Sequence, residues 1–119
     1  MQVTTKVSER KAAAASGSPV AILAFAGDIS SASKDAILAA YHGINAECSK
    51  ILLDFTGVDY INSSGIAIII QMLLEAGKTG TQSVGIFGLS SHFQKVFTMV
   101  GINKYASLLK DEATALAAI

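Results

Sequence analysis

The sequence of 119 residues predicts an α/β fold, with a single-layer, mostly parallel (mixed) β-sheet of four to five strands and helices packed against it. Short apolar runs alternate with amphipathic helical patterns along the chain. Hydrophobic residues make up 51% and aromatic residues 7%, which indicates an aliphatic core. Because one composition continues throughout without a repeat or linker, residues 1–119 are expected to form a single domain.

The first two elements are predicted to be strands. Residues 3–8 alternate weakly between apolar and polar, and Val20–Phe25 is a firmer apolar run. A turn near residues 16–19 would join them. The alanine run Ala12–Ala15 could instead form one helical turn, so the end of the first strand stays open.

A helix, a strand and a second helix follow. Lys34–Gly43 has apolar residues at helical spacing. Lys50–Phe55 is short and nearly all apolar, and Thr56 and Gly57 follow it, which favours a central parallel strand covered on both faces. Ser64–Lys78 predicts a helix with one narrow polar face. Its apolar positions are Ile66, Ile69, Ile70, Leu73 and Leu74, and its polar line is Gln71, Glu75 and Lys78.

The last third of the chain completes the alternation. Ser83–Phe87 predicts a buried strand and Ser90–Gly101 a helix whose inward positions are Phe93, Val96, Phe97 and Val100. Lys104–Leu109 contains a final short strand, and Asp111–Ile119 predicts an amphipathic helix with acidic residues in its first turn. Alternating strands and helices of this kind require a mostly parallel sheet.

The charge and cysteine content narrow the classes of partner and compartment. Nine basic and nine acidic residues give a net charge of zero, so no long-range field would attract nucleic acid. The single cysteine, Cys48, cannot form an internal disulfide, which indicates a reducing compartment. No export signal is visible, and the run Ile66–Leu74 falls short of the ~20 residues that span a membrane. A cytoplasmic protein without membrane insertion is expected.

A short polar segment, Asn62, Ser63, Ser64 and Gly65, separates the predicted central strand from the helix after it. One of the first three could simply cap the helix, while the glycine allows close packing. Two details favour a functional role in addition to capping. No Glu or Gln follows three residues after either serine to complete a capping box, and the carboxyl end of a parallel strand is where α/β sheets place functional residues. A helix N-terminus also tolerates a phosphate.

Catalysis by these serines is not expected. The nucleophile motif G-x-S-x-G fails, because Ile61 and Asn62 stand two residues before the serines. His42 and His92 lie in predicted helices, so no base is positioned by the sequence. Phosphate-binding glycine motifs and paired metal-ligand spacings are also absent from the sequence. The sequence therefore does not predict an enzyme.

Taken together, these pieces resemble the STAS domain, the fold of bacterial anti-sigma factor antagonists and of the cytoplasmic tails of sulfate transporters. The resemblance is carried by "FAGDIS" after the second strand, "ILLDFTGVDYINSSG" through the strand and turn, and "MVGI" at the end of a later helix. It spans nearly the whole chain, and the D/N-S-S-G turn is its most specific part.

The resemblance implies a regulatory role. In antagonists of this family the first serine of the turn, here Ser63, is phosphorylated by a partner that is both a serine kinase of ATPase fold and an anti-sigma factor. The unphosphorylated form binds that partner and releases sigma, and a phosphatase restores it. ATP and magnesium belong to the kinase, so the resemblance implies a binding protein that needs no cofactor. The implied partner-binding residues are Asp28, Ile29, Ser30, Ser31, Asn62, Ser63, Ser64 and Gly65, with the exposed side of the following helix.

Two positions depart from the family pattern. Asn62 stands where the family has an acidic residue before the serine, and Ser30 stands where an acidic residue is often found. The family also includes scaffold, stress-complex and lipid-transport members that are not phosphorylated. A constitutive scaffold or accessory subunit, in which Ser63 is structural, is therefore the alternative interpretation.

Overall fold

The structure is a computed structural model that describes residues 6–14, 17, 19–43, 50–78 and 83–118. Within these ranges the elements are, in chain order, β1 (Lys6–Ala13), β2 (Pro19–Ile29), α1 (Lys34–His42), β3 (Lys50–Ile61), α2 (Ser63–Lys78), β4 (Ser83–Phe87), α3 (Ser91–Met99), β5 (Ser107–Leu109) and α4 (Glu112–Ala118). Two single-turn 3-10 helices precede α1 and β5, at Ser31–Ser33 and Ile102–Lys104.

The strands form one sheet in the order β1-β2-β3-β4-β5. β1 is antiparallel to β2, and every later pair of neighbours is parallel. The predicted mostly parallel, mixed sheet of an α/β fold is therefore confirmed. Because β3 lies at the centre with strands on both sides, its first half is buried on both faces, as its continuous apolar run predicts.

Helices cover both faces of the sheet. A large aliphatic core fills the face under α1, α2 and α3, and a smaller cluster on the other face includes Ala115 of α4. Three phenylalanine rings stack through the large core: Phe55 lies 5.1 Å from Phe25 and 5.8 Å from Phe97, measured between ring centroids. In the described part of the chain, no helix is long and apolar enough to cross a bilayer.

The first strand differs from its predicted bounds. β1 runs from Lys6 to Ala13, and its last residue pairs with Pro19 of β2. Ala12 and Ala13 pair with β2 and are therefore extended, so the first half of the alanine run forms no helical turn. Ala15 lies outside the described residues. Residues 3–5, like Cys48, lie outside the described residues.

β3 is longer than predicted, because the strand continues past Phe55 to Ile61. The pairing with β2 explains this: Ala24 pairs with Asp54 and Ala26 with Gly57, and a second irregularity follows between Gly27 and Asp28. Each is a bulge that adds one residue to β3. The core-facing positions of β3 are consequently spaced by two and then by three, at Ile51, Leu53, Phe55, Val58 and Ile61.

Two predicted core positions are exposed. Leu74 of α2 is 44% exposed, so the exposed face of this helix is wider than the predicted narrow line of polar residues. Val100 is 48% exposed because α3 ends at Met99 and Val100 is its C-cap. β4 has its predicted bounds, and the predicted last strand and last helix are present as β5 and α4.

The start of α4 is fixed by one side chain. The backbone N–H of Thr114 donates to Oδ1 of Asp111 at 2.8 Å. Hydrogen bonds from the backbone and side chain of Thr114 hold the pKa of the Asp111 carboxyl below its usual value. Asp111, placed just before the first helical residue, therefore acts as the cap of α4.

Candidate functional site

The carboxyl ends of β2 and β3 bring the two predicted partner-binding segments together. Ile29 pairs with Ile61, and the N–H of Asn62 donates to the carbonyl oxygen of Ile29 at 3.1 Å. The 3-10 turn Ser31–Ser33 also packs against α2. Residues 28–31 and 62–65 therefore form one corner of the molecule, as expected for segments at neighbouring parallel strand ends.

Asn62 is the cap of α2. Its side-chain Oδ1 accepts from the N–H of Gly65 at 2.8 Å, and its carbonyl oxygen accepts from the N–H of Ile66 at 3.0 Å. The first of these bonds satisfies a backbone donor that has no partner within the helix. Of the three residues that could have capped the helix, the structure selects Asn62.

The two serines after the cap are exposed to solvent. Ser63 and Ser64 occupy the first two positions of α2, whose first turn contains no acidic residue. Within the described ranges, neither hydroxyl has a hydrogen-bond partner. The serines are thus not needed to complete the helix end, and both hydroxyls are open to another molecule.

Gly65 is buried against the end of β2. A Cβ atom at this position would lie 2.5 Å from the carbonyl oxygen of Ile29 and 2.8 Å from its carbonyl carbon. Only glycine fits without a backbone shift. Ile29 is itself fully buried, so Ile29 and Gly65 position the corner and present no side chain at its surface.

The loop after β2 is held by its own serines. The N–H of Ser30 donates to Oγ of Ser33 at 3.0 Å, and Oγ of Ser30 accepts from the N–H of Ala32 at 3.3 Å. The side chains of Ser30 and Ser33 each accept from the backbone N–H of the other residue, which makes a capping box and gives Ser30 a structural role. Ser31 is exposed and Asp28 half-buried, so both can contribute to the outer surface of the corner.

An apolar surface continues from Ser63 along α2. Ala67, Ile70 and Leu74 follow at helical spacing and are exposed or half-exposed; we call them the α2 stripe. With Gln71 and Glu75 they line a shallow groove of about 380 Å³. The sequence predicts Ile70 and Leu74 as inward positions. Ile70 is partly buried against the large core as predicted, whereas Leu74 is exposed, on the side of the helix that carries Ser63.

The far end of the groove is tied to the neighbouring helix. Nε2 of His42 in α1 lies 2.6 Å from Oε1 of Glu75, a hydrogen-bonded pair at the surface. This contact joins α1 to α2 and fixes the carboxylate at the rim of the groove. Both side chains are partly exposed, so the pair adds little to overall stability.

A pair of aromatic residues flanks the corner and was missed by the sequence interpretation. Tyr60 pairs with Asp28 across the second bulge of β3 and is 56% exposed. Its ring meets that of Phe93 edge-on, with 6.1 Å between centroids. The feature of the sequence that could have revealed it is an aromatic residue beyond the predicted end of the strand. Because β3 continues to Ile61, Tyr60 falls on its outward side.

The exposed side chains of the corner decide what chemistry it can perform. Among the described residues, no group of three or more His, Cys, Asp or Glu side chains could hold a metal ion. The corner offers exposed hydroxyls, small side chains and an adjoining apolar groove. The exposed ring of Tyr60 and the exposed apolar side chain of Leu74 are of the kinds found at protein interfaces.

Comparison with known families supports this assignment of the fold. The family model of the STAS domain matches residues 11–115. The chain belongs to the STAS domain family. The match includes both segments of the corner and all of α2, and it runs from the last three residues of β1 to the middle of α4.

Solved STAS structures are similar in fold and distant in sequence. An anti-sigma factor antagonist from Mycobacterium paratuberculosis matches with a TM-score of 0.74 and 19% identity, covering 99% of this chain and 94% of that one. The unphosphorylated antagonist SpoIIAA gives 0.63 and 12%, covering 90% of each chain. The STAS domain of a SulP transporter from Vibrio cholerae gives 0.63 and 19%, covering 82% and 79%. No curated protein sequence matches the chain.

Proposed function

We propose that this chain is a bacterial anti-sigma factor antagonist that acts in the cytoplasm as a single STAS domain. It binds an anti-sigma factor that is also a serine kinase of ATPase fold, and this binding releases sigma. Phosphorylation of Ser63 ends the binding, and a phosphatase restores it. The chain is a binding protein rather than an enzyme, and ATP and magnesium are supplied by the kinase.

One observation carries the proposal: the exposed hydroxyl of Ser63 stands at the head of the exposed α2 stripe. A partner that covers the stripe must also come close to this hydroxyl. Modification and binding would therefore compete for one surface. Similarity to antagonist structures adds support at the level of the fold.

The switch would act through charge. A phosphate on Ser63 carries nearly two negative charges at neutral pH. The N-terminal end of α2 tolerates it in the free protein, because unpaired N–H groups and the helix dipole face it. In the complex the same phosphate would be pressed against a largely apolar surface, and burying a charge without a partner costs several kcal/mol. Phosphorylation would thus weaken the complex without unfolding the domain.

The first test measures phosphate transfer. The chain is incubated with its cognate kinase and Mg-ATP, and its intact mass is recorded together with that of Ser63→Ala and Ser64→Ala. We expect one phosphate on the wild type and on Ser64→Ala, and none on Ser63→Ala. Transfer that persists in Ser63→Ala would contradict the assignment of the site.

Binding is measured on the same variants. Ser63→Asp introduces one negative charge at the modified position, and Ser64→Asp introduces it at the neighbouring position. We expect Ser63→Asp to raise the Kd for the kinase at least tenfold, corresponding to about 1.4 kcal/mol, and Ser64→Asp to have a smaller effect. Equal effects would place the sensitivity in the helix end as a whole.

A scaffold or accessory role is the second candidate, and Asn62 favours it. This residue replaces the acidic residue of the family turn and is engaged as the cap of α2. In that case the chain would bind its partner constitutively, within a stress complex or a lipid-transport complex. Tight binding to a cognate partner with no mass increase under the same conditions would favour this role over the switch.

A further inference from the structure

The outer edge of β1 is an open strand edge. In the described part of the chain, this strand of eight residues pairs on one side only, with β2. The opposite edge of the sheet is β5, which has only three residues. An open edge presents backbone N–H and C=O groups that can pair with another strand, and a longer edge offers more of them.

The exposed charges of β1 alternate in sign along one face. Glu9 and Lys11 are both exposed and lie two residues apart, so they project from the same side of the strand. Charges on an edge strand commonly prevent pairing between edges, because like charges meet. Here the opposite arrangement is available, since an antiparallel copy reverses the order of the two charges.

We propose that β1 pairs antiparallel with β1 of a second copy of this chain, about a twofold axis through residue 10. In this register Glu9 of each copy stands opposite Lys11 of the other, which makes two opposite-charge pairs. Arg10 stands opposite its own copy at the axis, a single like-charge pair. The two neighbouring symmetric registers, centred on residue 9 or 11, would instead set Glu9 against Glu9 or Lys11 against Lys11.

Among the described elements, β2 and α1 make the main contacts with β1. α1 packs over one face of β1 and would lie beside the seam of the continued sheet. Its residues Ala36 and Ala39 are exposed and small. A single strand pair buries a small area, and small interfaces are weak, so we expect a dimer that forms in a concentration-dependent manner.

This inference does not depend on the proposed function. The seam lies beyond β2, at the edge of the sheet, whereas Ser63 lies where α2 follows β3. A dimer of this form would leave both copies of the corner exposed. It would therefore present two docking sites to a partner, which raises the apparent affinity for a partner that is itself dimeric.

The test is sedimentation velocity on the full chain from about 1 µM to about 1 mM, a range chosen for a weak interface. The wild type should show a monomer–dimer equilibrium. Glu9→Lys and Lys11→Glu should each weaken association by about tenfold, since two attractive pairs become repulsive. The double variant Glu9→Lys/Lys11→Glu should recover the wild-type constant to within about threefold.

Asp59→Lys is the matched control, because it makes the same charge change at an exposed position of β3. It should leave the association constant unchanged. Circular dichroism spectra of all variants establish that each is folded. A wild type that stays monomeric throughout, single variants equal to the control, or a double variant that fails to recover would each overturn the proposal.

Discussion

Asn62 combines two properties at one position. Its Oδ1 accepts the N–H of Gly65, and an aspartate in its place would accept the same bond. The difference is charge, because asparagine leaves the start of α2 neutral. The residue that departs from the family pattern therefore preserves the helix end while changing the electrostatic surroundings of Ser63.

Removal of the cap should lower stability measurably. Asn62→Ala leaves the N–H of Gly65 without its acceptor, and we expect the free energy of unfolding to fall by about 1 kcal/mol. Urea denaturation monitored by circular dichroism measures this loss. Ser64→Ala is the control, since an exposed hydroxyl without a partner should contribute within about 0.5 kcal/mol. Ser63→Ala should behave like the control, and a loss from Ser63→Ala as large as from Asn62→Ala would contradict the assigned cap.

Gly65 should be the least replaceable residue of the corner. In Gly65→Ala the new methyl group would lie 2.5 Å from the carbonyl oxygen of Ile29, so the backbone of α2 or that of β2 must move. We expect a loss of about 1–3 kcal/mol, the usual range for overpacking. Gly43→Ala is the control: its Cβ would lie no closer than 3.4 Å to its neighbours, and its backbone is already helical. Equal unfolding midpoints for the two variants would show that the backbones at the corner can move apart at little cost in free energy, which would contradict this prediction.

α2 has two apolar faces with different roles. Ile69 is fully buried beneath the helix, whereas Leu74 of the α2 stripe is 44% exposed. Their separation explains why the helix carries more apolar residues than its own core contact requires. One face holds the helix to the sheet, and the other is available to a partner.

An acidic substitution should separate these roles. Ile69→Asp places a charge in an aliphatic core and should abolish the cooperative unfolding transition. Leu74→Asp should keep the native circular dichroism spectrum and the wild-type midpoint to within about 0.5 kcal/mol. Under the proposed function, Leu74→Asp should nevertheless weaken binding to the kinase at least tenfold. Native binding by Leu74→Asp would remove the stripe from the interface.

β3 shows where the spacing of apolar residues stops predicting the extent of a strand. Up to Phe55 its apolar residues follow the spacing of an ordinary strand, and the sequence predicts them correctly. Beyond it, the two bulges change the spacing of the inward residues from two to three. Thr56 and Gly57 then look like a turn. Because a bulge is defined by its partner strand, local sequence could not reveal that the strand reaches the functional corner.

Across the whole molecule, the features set by burial were predictable and those set by neighbours were not. The order of elements, the parallel sheet and the location of the Ser63 turn follow from apolar periodicity and from the resemblance to STAS domains. The choice of Asn62 as cap, the exposure of Leu74 and the place of Tyr60 beside the corner depend on what packs against each residue. Tertiary contacts decide these, and a pattern of apolar spacing does not contain them.

The contact between Gly65 and Ile29 bears on how a change at Ser63 could affect other molecules. The two backbones already touch, so the first turn of α2 has no slack beneath it in which to sink or tilt. A phosphate on Ser63 would then change the charge of the surface while the backbone beneath it stays in place. Under the proposed function, phosphorylation would therefore be detected by a molecule that binds the corner directly.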